Sequence, residues 1–224
     1  MTKALVVLAL TLALACPALA RDARPDHAQE TLPEEETPAL PRPPETSEDE
    51  GAPEEAAPAD LAEMGREAQL DALFDRLGAA EGREAEVLQA QIWRVWRRSG
   101  SDSMDLLLRR GMEAIEDEAF DAAFVHLNDL VRLAPDFAEG WNQRATAHFL
   151  RGDYGRAMQD IEATLALEPR HFGALAGLGI ILDRTGYDAG ALSAYRRALE
   201  VNPHLDGAQK GVDKLSPDVD GRDL

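Results

Sequence analysis

The chain repeats itself with a 34-residue period, and this repeat interval restricts its possible folds more than any other feature. Pro135, Pro169 and Pro203 are evenly spaced, each one repeat interval from the next. Three further series keep the same spacing: Ala123, Ala157 and Ala191; Leu107, Trp141 and Leu175; and Gly111, Ala145 and Gly179. A unit this short cannot bury an apolar face alone, so its copies must stack against one another.

The pattern inside the units is helical. Apolar residues recur every three or four positions, and the sequence shows no sustained strand alternation. Each proline is expected to end the second helix of its unit, because it lacks an amide donor and restricts the residue before it. Gly152 and Gly186 fall between the two helices of their units, where a helix C-terminus needs a positive φ. The folded part is therefore predicted to be all-α.

The third unit carries the fullest set of residues at these intervals: Leu175, Leu178, Gly179, Leu182, Ala191, Tyr195 and Pro203. Together the units resemble the tetratricopeptide repeat (TPR) family, whose pattern combines Trp, Leu-Gly, Tyr, Ala, Phe and Pro at set spacings. Arg110 and Arg144 stand where the family has leucine, and His148 stands at its tyrosine position. The resemblance implies an α-solenoid of helical hairpins, with repeats at 104–137, 138–171 and 172–205.

The small residues of these series have a physical role in that fold. Gly111, Ala145 and Gly179 are expected where the two helices of a repeat approach most closely, with the alanine series opposite. A larger side chain there would overpack the crossing, at a cost of about 1–3 kcal/mol. The residues assigned to repeat packing are Gly111, Ala123, Pro135, Trp141, Ala145, Ala157, Pro169, Gly179, Ala191 and Pro203.

Both ends of the array are predicted to be atypical, since a stack needs caps with a polar outer face. Residues 61–103 are interpreted as a degenerate helical hairpin that caps the array. Counting back by one repeat interval puts Trp93 and Trp96 where Leu127 and Leu130 stand, so their indoles are expected to face the core. Residues 206–224 are interpreted as a capping helix followed by a frayed tail.

The N-terminus is typical of a secretory signal peptide. Residues 1–20 contain Lys3, an apolar stretch rich in Leu and Ala, and the small-x-small sequence Ala18-Leu19-Ala20. Cleavage before Arg21 would export the chain, most simply to a bacterial periplasm. A lipoprotein anchored through Cys16 is the minor alternative, because Ala15 precedes that cysteine, whereas the residues around it fit such a signal poorly.

The next segment, 21–60, is predicted to be a disordered acidic linker. It contains 8 prolines, 13 acidic residues and 3 arginines, with few large apolar side chains to bury. It accounts for about half of the formal charge of −19. An acid excess of this size excludes a nucleic-acid backbone as the main ligand. The segment is interpreted as a spacer; the alternatives are a tether or lure for a basic partner, or docking onto Trp93-Arg94-Val95-Trp96-Arg97-Arg98 of the same chain.

The sequence offers no constellation for catalysis, for a cofactor or for a metal. Cys16 is the one cysteine, and the five histidines include no pair at i, i+4 spacing. A Gly-rich phosphate loop and a nucleophile elbow are also missing from the sequence. The chain is therefore predicted not to be an enzyme.

The family resemblance implies a concave surface, lined by the first helix of each repeat, that binds a peptide or a partner helix. The residues expected there are Leu108, Met112, Asn142, Thr146, Phe149, Leu150, Ile180, Asp183 and Arg184. Leu108, Met112 and Gly173 replace the polar residues with which one subgroup holds a C-terminal carboxylate, so that kind of chaperone binding is disfavoured. Alternatively, neighbouring helices cover several of these residues.

Two functions follow from this surface. The leading hypothesis is an exported adaptor that binds another envelope protein. The alternative is a structural protein that self-associates to organise the envelope and uses 21–60 as a spacer. Sedimentation that shows a monomer at all concentrations would count against the alternative.

Overall fold

The computed structural model describes residues 65–221, so the predictions for 1–20 and 21–60 lie outside the described residues. The described range is built of helices and contains no strand. In chain order the helices are α1 (Arg66–Leu77), α2 (Arg83–Trp96), α3 (Asp102–Glu116), α4 (Phe120–Leu133), α5 (Ala138–Leu150), α6 (Tyr154–Leu167), α7 (Phe172–Arg184), α8 (Asp188–Val201) and α9 (Asp206–Asp220). The all-α prediction is confirmed for this range.

The helices pair as the repeat interval requires. α3 packs on α4, α5 on α6 and α7 on α8, and α9 then packs on the last pair. Pro135, Pro169 and Pro203 each follow the end of a second helix by two residues. Trp141 ties one such turn to the next helix, because its indole N–H donates to the Pro135 carbonyl at 2.9 Å.

The close approach expected inside each repeat is present. A Cβ added at Gly111 would lie 2.6 Å from Leu127, and one added at Gly179 would lie 2.5 Å from the Tyr195 ring. The opposing residues Ala123, Ala157 and Ala191 are completely buried. At Gly111 and Gly179 the packing therefore leaves no room for a larger side chain.

The turns between the helices of a repeat take a positive φ at one position. Gly152 has a φ of 76° and Gly186 one of 78°, as predicted. In the first repeat the equivalent residue is Glu118, which lies one repeat interval before Gly152 and has a φ of 55°. A residue with a Cβ is strained by about 1–2 kcal/mol in this region.

We therefore expect Glu118→Gly to raise the free energy of unfolding by about 1 kcal/mol, because it relieves that strain. Urea denaturation followed by circular dichroism measures the change. The control is Asp117→Gly at the neighbouring position, where φ is −78°, and it is expected to lower stability. A Glu118→Gly variant that is less stable than the wild type would contradict the assignment of strain.

The core has two parts. The smaller lies in the first repeat and at the start of the second, around Leu108, Leu127, Leu130 and Phe137. The larger joins repeats 2 and 3 and α9 to the N-terminal hairpin α1–α2. No helix within residues 65–221 is long and apolar enough to cross a membrane.

Candidate functional site

The residues predicted for the concave surface differ widely in their exposure. Leu108, Asn142, Phe149 and Ile180 are buried; Met112, Thr146 and Asp183 are half-buried; Leu150 and Arg184 are exposed. Asn142 is also engaged within its own helix, because its amide donates to the Glu139 carboxylate at 3.2 Å. Part of the predicted surface is therefore not accessible to a partner.

The N-terminal hairpin α1–α2 covers the predicted surface at Gly173. The Trp93 ring lies so close to Gly173 that a Cβ on this glycine would come within 2.6 Å of the indole. The rings of Trp93 and Trp96 contact Phe172, with centroids 5.4 and 4.9 Å away. Trp96 also stacks on the His171 ring at 4.1 Å, nearly parallel. We call Glu139, His171, Phe172 and Gly173 the hairpin seat.

A buried hydrogen-bond network fixes the seat. His171 and Glu139 are both 0% exposed, and His171 Nε2 lies 3.0 Å from Glu139 Oε2. The Ala174 amide donates to His171 Nδ1 at 3.1 Å, so the proton of a neutral ring lies on Nε2 and is donated to the carboxylate. Gln143 donates to the other carboxylate oxygen at 2.7 Å. The network joins the first turn of α5 to His171, the N-cap residue of α7 on which Trp96 stacks.

Polar contacts at the edge of the seat join the hairpin to two turns, one before α7 and one before α9. Arg170 Nη1 donates to Asp71 at 2.7 Å, and its guanidinium lies 4.7 Å from the Phe74 ring centroid. The Asn202 amide donates to Gln89 at 3.1 Å, and His204 Nε2 lies 3.1 Å from the Leu77 carbonyl oxygen. The hairpin therefore bridges the start of repeat 3 and the start of α9.

Some buried polar atoms of the hairpin have no hydrogen-bond partner in the described range. Gln91 Oε1, Trp96 Nε1 and Arg97 Nε are buried within the described range and have no hydrogen-bond partner there. Burial lowers the pKa of Arg97 from its ordinary value, although Glu139 and Glu116 act in the opposite direction. The apolar side chains of α2 are thus closely packed, whereas some of its polar atoms lack hydrogen bonds.

The other end of the concave surface is open. Leu150, the last residue of α5, is 42% exposed. Nearby, the guanidinium of Arg184 lies 5.1 Å from the Phe149 ring centroid, and its Nη1 donates to the Tyr154 hydroxyl at 3.3 Å. This region, the open half, combines an apolar side chain, a cation and aromatic rings.

A separate polar cleft of about 800 Å³ lies between repeats 1 and 2. Arg144 donates to both carboxylate oxygens of Asp160, at 2.8 and 2.7 Å, and this pairing accounts for an arginine at the family's leucine position. His148 lines the cleft, and burial lowers its pKa, with Asp160 acting in the opposite direction. Arg151 and Arg156 pair with Asp121 and Asp153. Because the charges compensate one another, we assign the cleft to repeat packing.

Sequence reasoning did not find the hairpin seat. Gly173 was considered only as a replacement for a polar residue, and no role was predicted for His171. The signal that was available is the pair of tryptophans in α2, whose expected burial is confirmed: Trp93 is 3% exposed and Trp96 0%. Their partners lie about 80 positions later in the chain, and no interval links the two regions.

These features define an α-solenoid of stacked helical hairpins with a concave surface that is partly covered by an element of the same chain. Among curated proteins, a TPR repeat-containing protein of Rhizobium etli is 39% identical over 154 residues, or 68% of this chain and 76% of that protein. The chain belongs to the tetratricopeptide repeat family. Tetratricopeptide repeat protein 36 of Xenopus tropicalis is 30% identical over 117 residues, or 50% of this chain and 56% of that protein.

Solved structures share the fold at lower identity. The Sgt2 TPR domain from Aspergillus fumigatus is 20% identical with a TM-score of 0.51, and the match covers 55% of this chain and 83% of that chain. The first TPR of Spaghetti (RPAP3) bound to the HSP90 peptide SRMEEVD is 21% identical with a TM-score of 0.51, over 54% of this chain and 95% of that chain. A scan against models of protein families gives no match.

Proposed function

We propose that this chain is an exported TPR adaptor of the bacterial periplasm, which binds a protein partner of the cell envelope through its concave surface and carries out no catalysis. The observation that carries the proposal is the open half. Of the exposed large apolar side chains in the described range, Leu150 is the one that lies on the first helix of a repeat. It follows Phe149, whose ring centroid lies 5.1 Å from the Arg184 guanidinium. A region with an exposed apolar side chain and a cation suits a peptide that carries an apolar and an acidic residue.

Two further features support the proposal. The leader-like residues 1–20 favour export, which mass spectrometry tests directly: the mature chain should begin at Arg21. The Spaghetti TPR domain holds an HSP90 peptide, so a protein of this fold binds peptides. In this chain Leu108, Met112 and Gly173 stand at the places of the carboxylate-holding residues, which favours a different peptide chemistry.

We expect Leu150→Asp to reduce crosslinking of the partner at least tenfold, because a carboxylate in the open half opposes burial of an apolar contact. The measurement is a crosslinking pull-down from cell envelopes, with quantitative mass spectrometry of the captured proteins. Leu167→Asp is the matched control, since Leu167 also ends a helix and is also 42% exposed, but belongs to the second helix of its repeat.

The control separates a binding effect from a general effect of the added charge. Leu167→Asp should capture the partner as the wild type does. If both variants capture the same proteins in the same amounts as the wild type, the open half is not the binding site.

A further inference from the structure

The helix α2 lies on the concave surface, where a bound peptide or partner helix is expected. Its two tryptophans lie three residues apart, so both indoles point to the same side of the helix and into the seat. Glu139 and Gly173 are the second residues of α5 and α7, the helices that line the concave surface. The seat therefore receives a helix with the sequence Trp-x-x-Trp.

The seat is shaped for the two tryptophans in two respects. Gly173 has no side chain where Trp93 lies, and any Cβ there would collide with the indole. His171 offers its ring face to Trp96, held in place by Glu139 and the Ala174 amide. Burial lowers the pKa of Arg97, which follows Trp96, and this outweighs the opposing effect of Glu139. The aromatic side chains of α2 thus meet complementary partners, whereas its last cation does not.

The hydrogen bonding of α2 in the seat is nevertheless incomplete. Three polar atoms of α2 and of the residue that follows it, on Gln91, Trp96 and Arg97, are buried without a partner inside the described range. The anchor between Arg170 and Asp71 remains partly exposed to solvent, whereas Asn202, which donates to Gln89, is completely buried. A competing helix with the same aromatic pair and better placed polar groups would gain hydrogen bonds that α2 lacks.

We propose that the hairpin seat is a binding site for an amphipathic helix carrying Trp-x-x-Trp or a close aromatic equivalent, and that α2 occupies it in cis until a partner displaces it. The inference rests on the proposed function, because it names the class of partner that the same concave surface accepts. While α2 occupies the seat, the apparent affinity for a partner equals the intrinsic affinity multiplied by the fraction of molecules in which the seat is open. Displacement would uncover Glu139 and Gly173 and extend the open half along α5 and α7.

The test measures binding of a fluorescent peptide of residues 83–98, REAEVLQAQIWRVWRR, to the full-length chain by anisotropy. We expect Trp93→Ala/Trp96→Ala in the protein to raise peptide affinity at least tenfold, because the seat is then vacated while its own residues stay intact. Adding Gly173→Leu to that variant should abolish binding. A peptide in which both tryptophans are alanine should not bind either protein.

A second variant protects the test against misfolding. Asp71→Ala/Gln89→Ala removes two polar anchors of the hairpin but keeps both tryptophans, and it should raise peptide affinity severalfold. A third variant, Asp71→Cys/Arg170→Cys in a Cys16→Ser background, allows a short bismaleimide to crosslink the hairpin to the repeats. This crosslink should keep α2 in the seat and suppress peptide binding. Circular dichroism checks that each variant keeps its helix content.

The outcomes separate this inference from the proposed function. If vacating the seat leaves peptide affinity unchanged in folded variants, or if Gly173→Leu does not reduce it, the seat is only an intramolecular packing site and the inference is overturned. That result leaves the Leu150→Asp pull-down unaffected, because the pull-down tests the open half with the native partner. If the pull-down fails while the peptide competes with α2, the inference stands without the proposed envelope partner.

Discussion

Replacing His171 with leucine is expected to lower the free energy of unfolding by about 3 kcal/mol. The imidazole is completely buried and donates to Glu139 Oε2 at 3.0 Å, so leucine leaves a buried carboxylate without one of its donors. It also removes the face on which Trp96 stacks at 4.1 Å. Urea denaturation gives the free energy, and the fluorescence of the hairpin tryptophans reports whether α2 leaves the seat.

Two comparisons isolate the cause of that loss. His126→Leu, at a half-buried histidine of α4, is expected to change stability by less than about 0.5 kcal/mol. Glu139→Leu/His171→Leu should recover part of the loss, because an apolar pair replaces the carboxylate and its donor together. If His171→Leu were as stable as His126→Leu, the buried network would not hold the hairpin seat together.

Replacing Gly179 with alanine is expected to lower the free energy of unfolding by about 2 kcal/mol, although alanine favours helix by about 1 kcal/mol. The added Cβ would lie 2.5 Å from the Tyr195 ring. The ring cannot retreat, because Gly211 of α9 approaches its other edge so closely that a Cβ there would lie 2.4 Å from it. Thermal and urea denaturation measure the loss.

The control for Gly179→Ala is another helical glycine. Gly155→Ala in α6 meets only the Asp153 side chain, at 3.9 Å, and is expected to raise stability by about 0.5 kcal/mol. Adding Tyr195→Leu to Gly179→Ala should restore part of the lost stability, since it frees the space that the new methyl group needs. A Gly179→Ala protein that gains stability as Gly155→Ala does would show that the packing around Tyr195 is loose.

Much of the array could be predicted because its determinants are local and recur. A proline after each second helix, a small residue at each helix crossing and a glycine in each turn follow from steric limits that any copy of the unit must meet. Glu118 shows the limit of this reasoning. Its positive φ is inherited from the fold, while its residue type gives no indication of that conformation.

The candidate site could be predicted only in part. The register of the repeats predicts which residues line the concave surface, and two of them, Leu150 and Arg184, are exposed. The burial of Asn142 and Ile180 did not follow from register, because exposure depends on how the helices pack and not on periodicity alone. The leader at 1–20 and the acidic linker at 21–60 remain predictions from composition.

The sequence by itself determined that this chain forms a stack of helical pairs, because periodicity, breakers and small residues act over a few turns of helix. Only the tertiary structure decided where the N-terminal hairpin lies. Contacts between Trp93 and Gly173, or between Gln89 and Asn202, join segments 80 or more positions apart and leave no periodic trace. They form because the apolar face of α2 must be buried, and the seat on α5 and α7 is the surface that complements it.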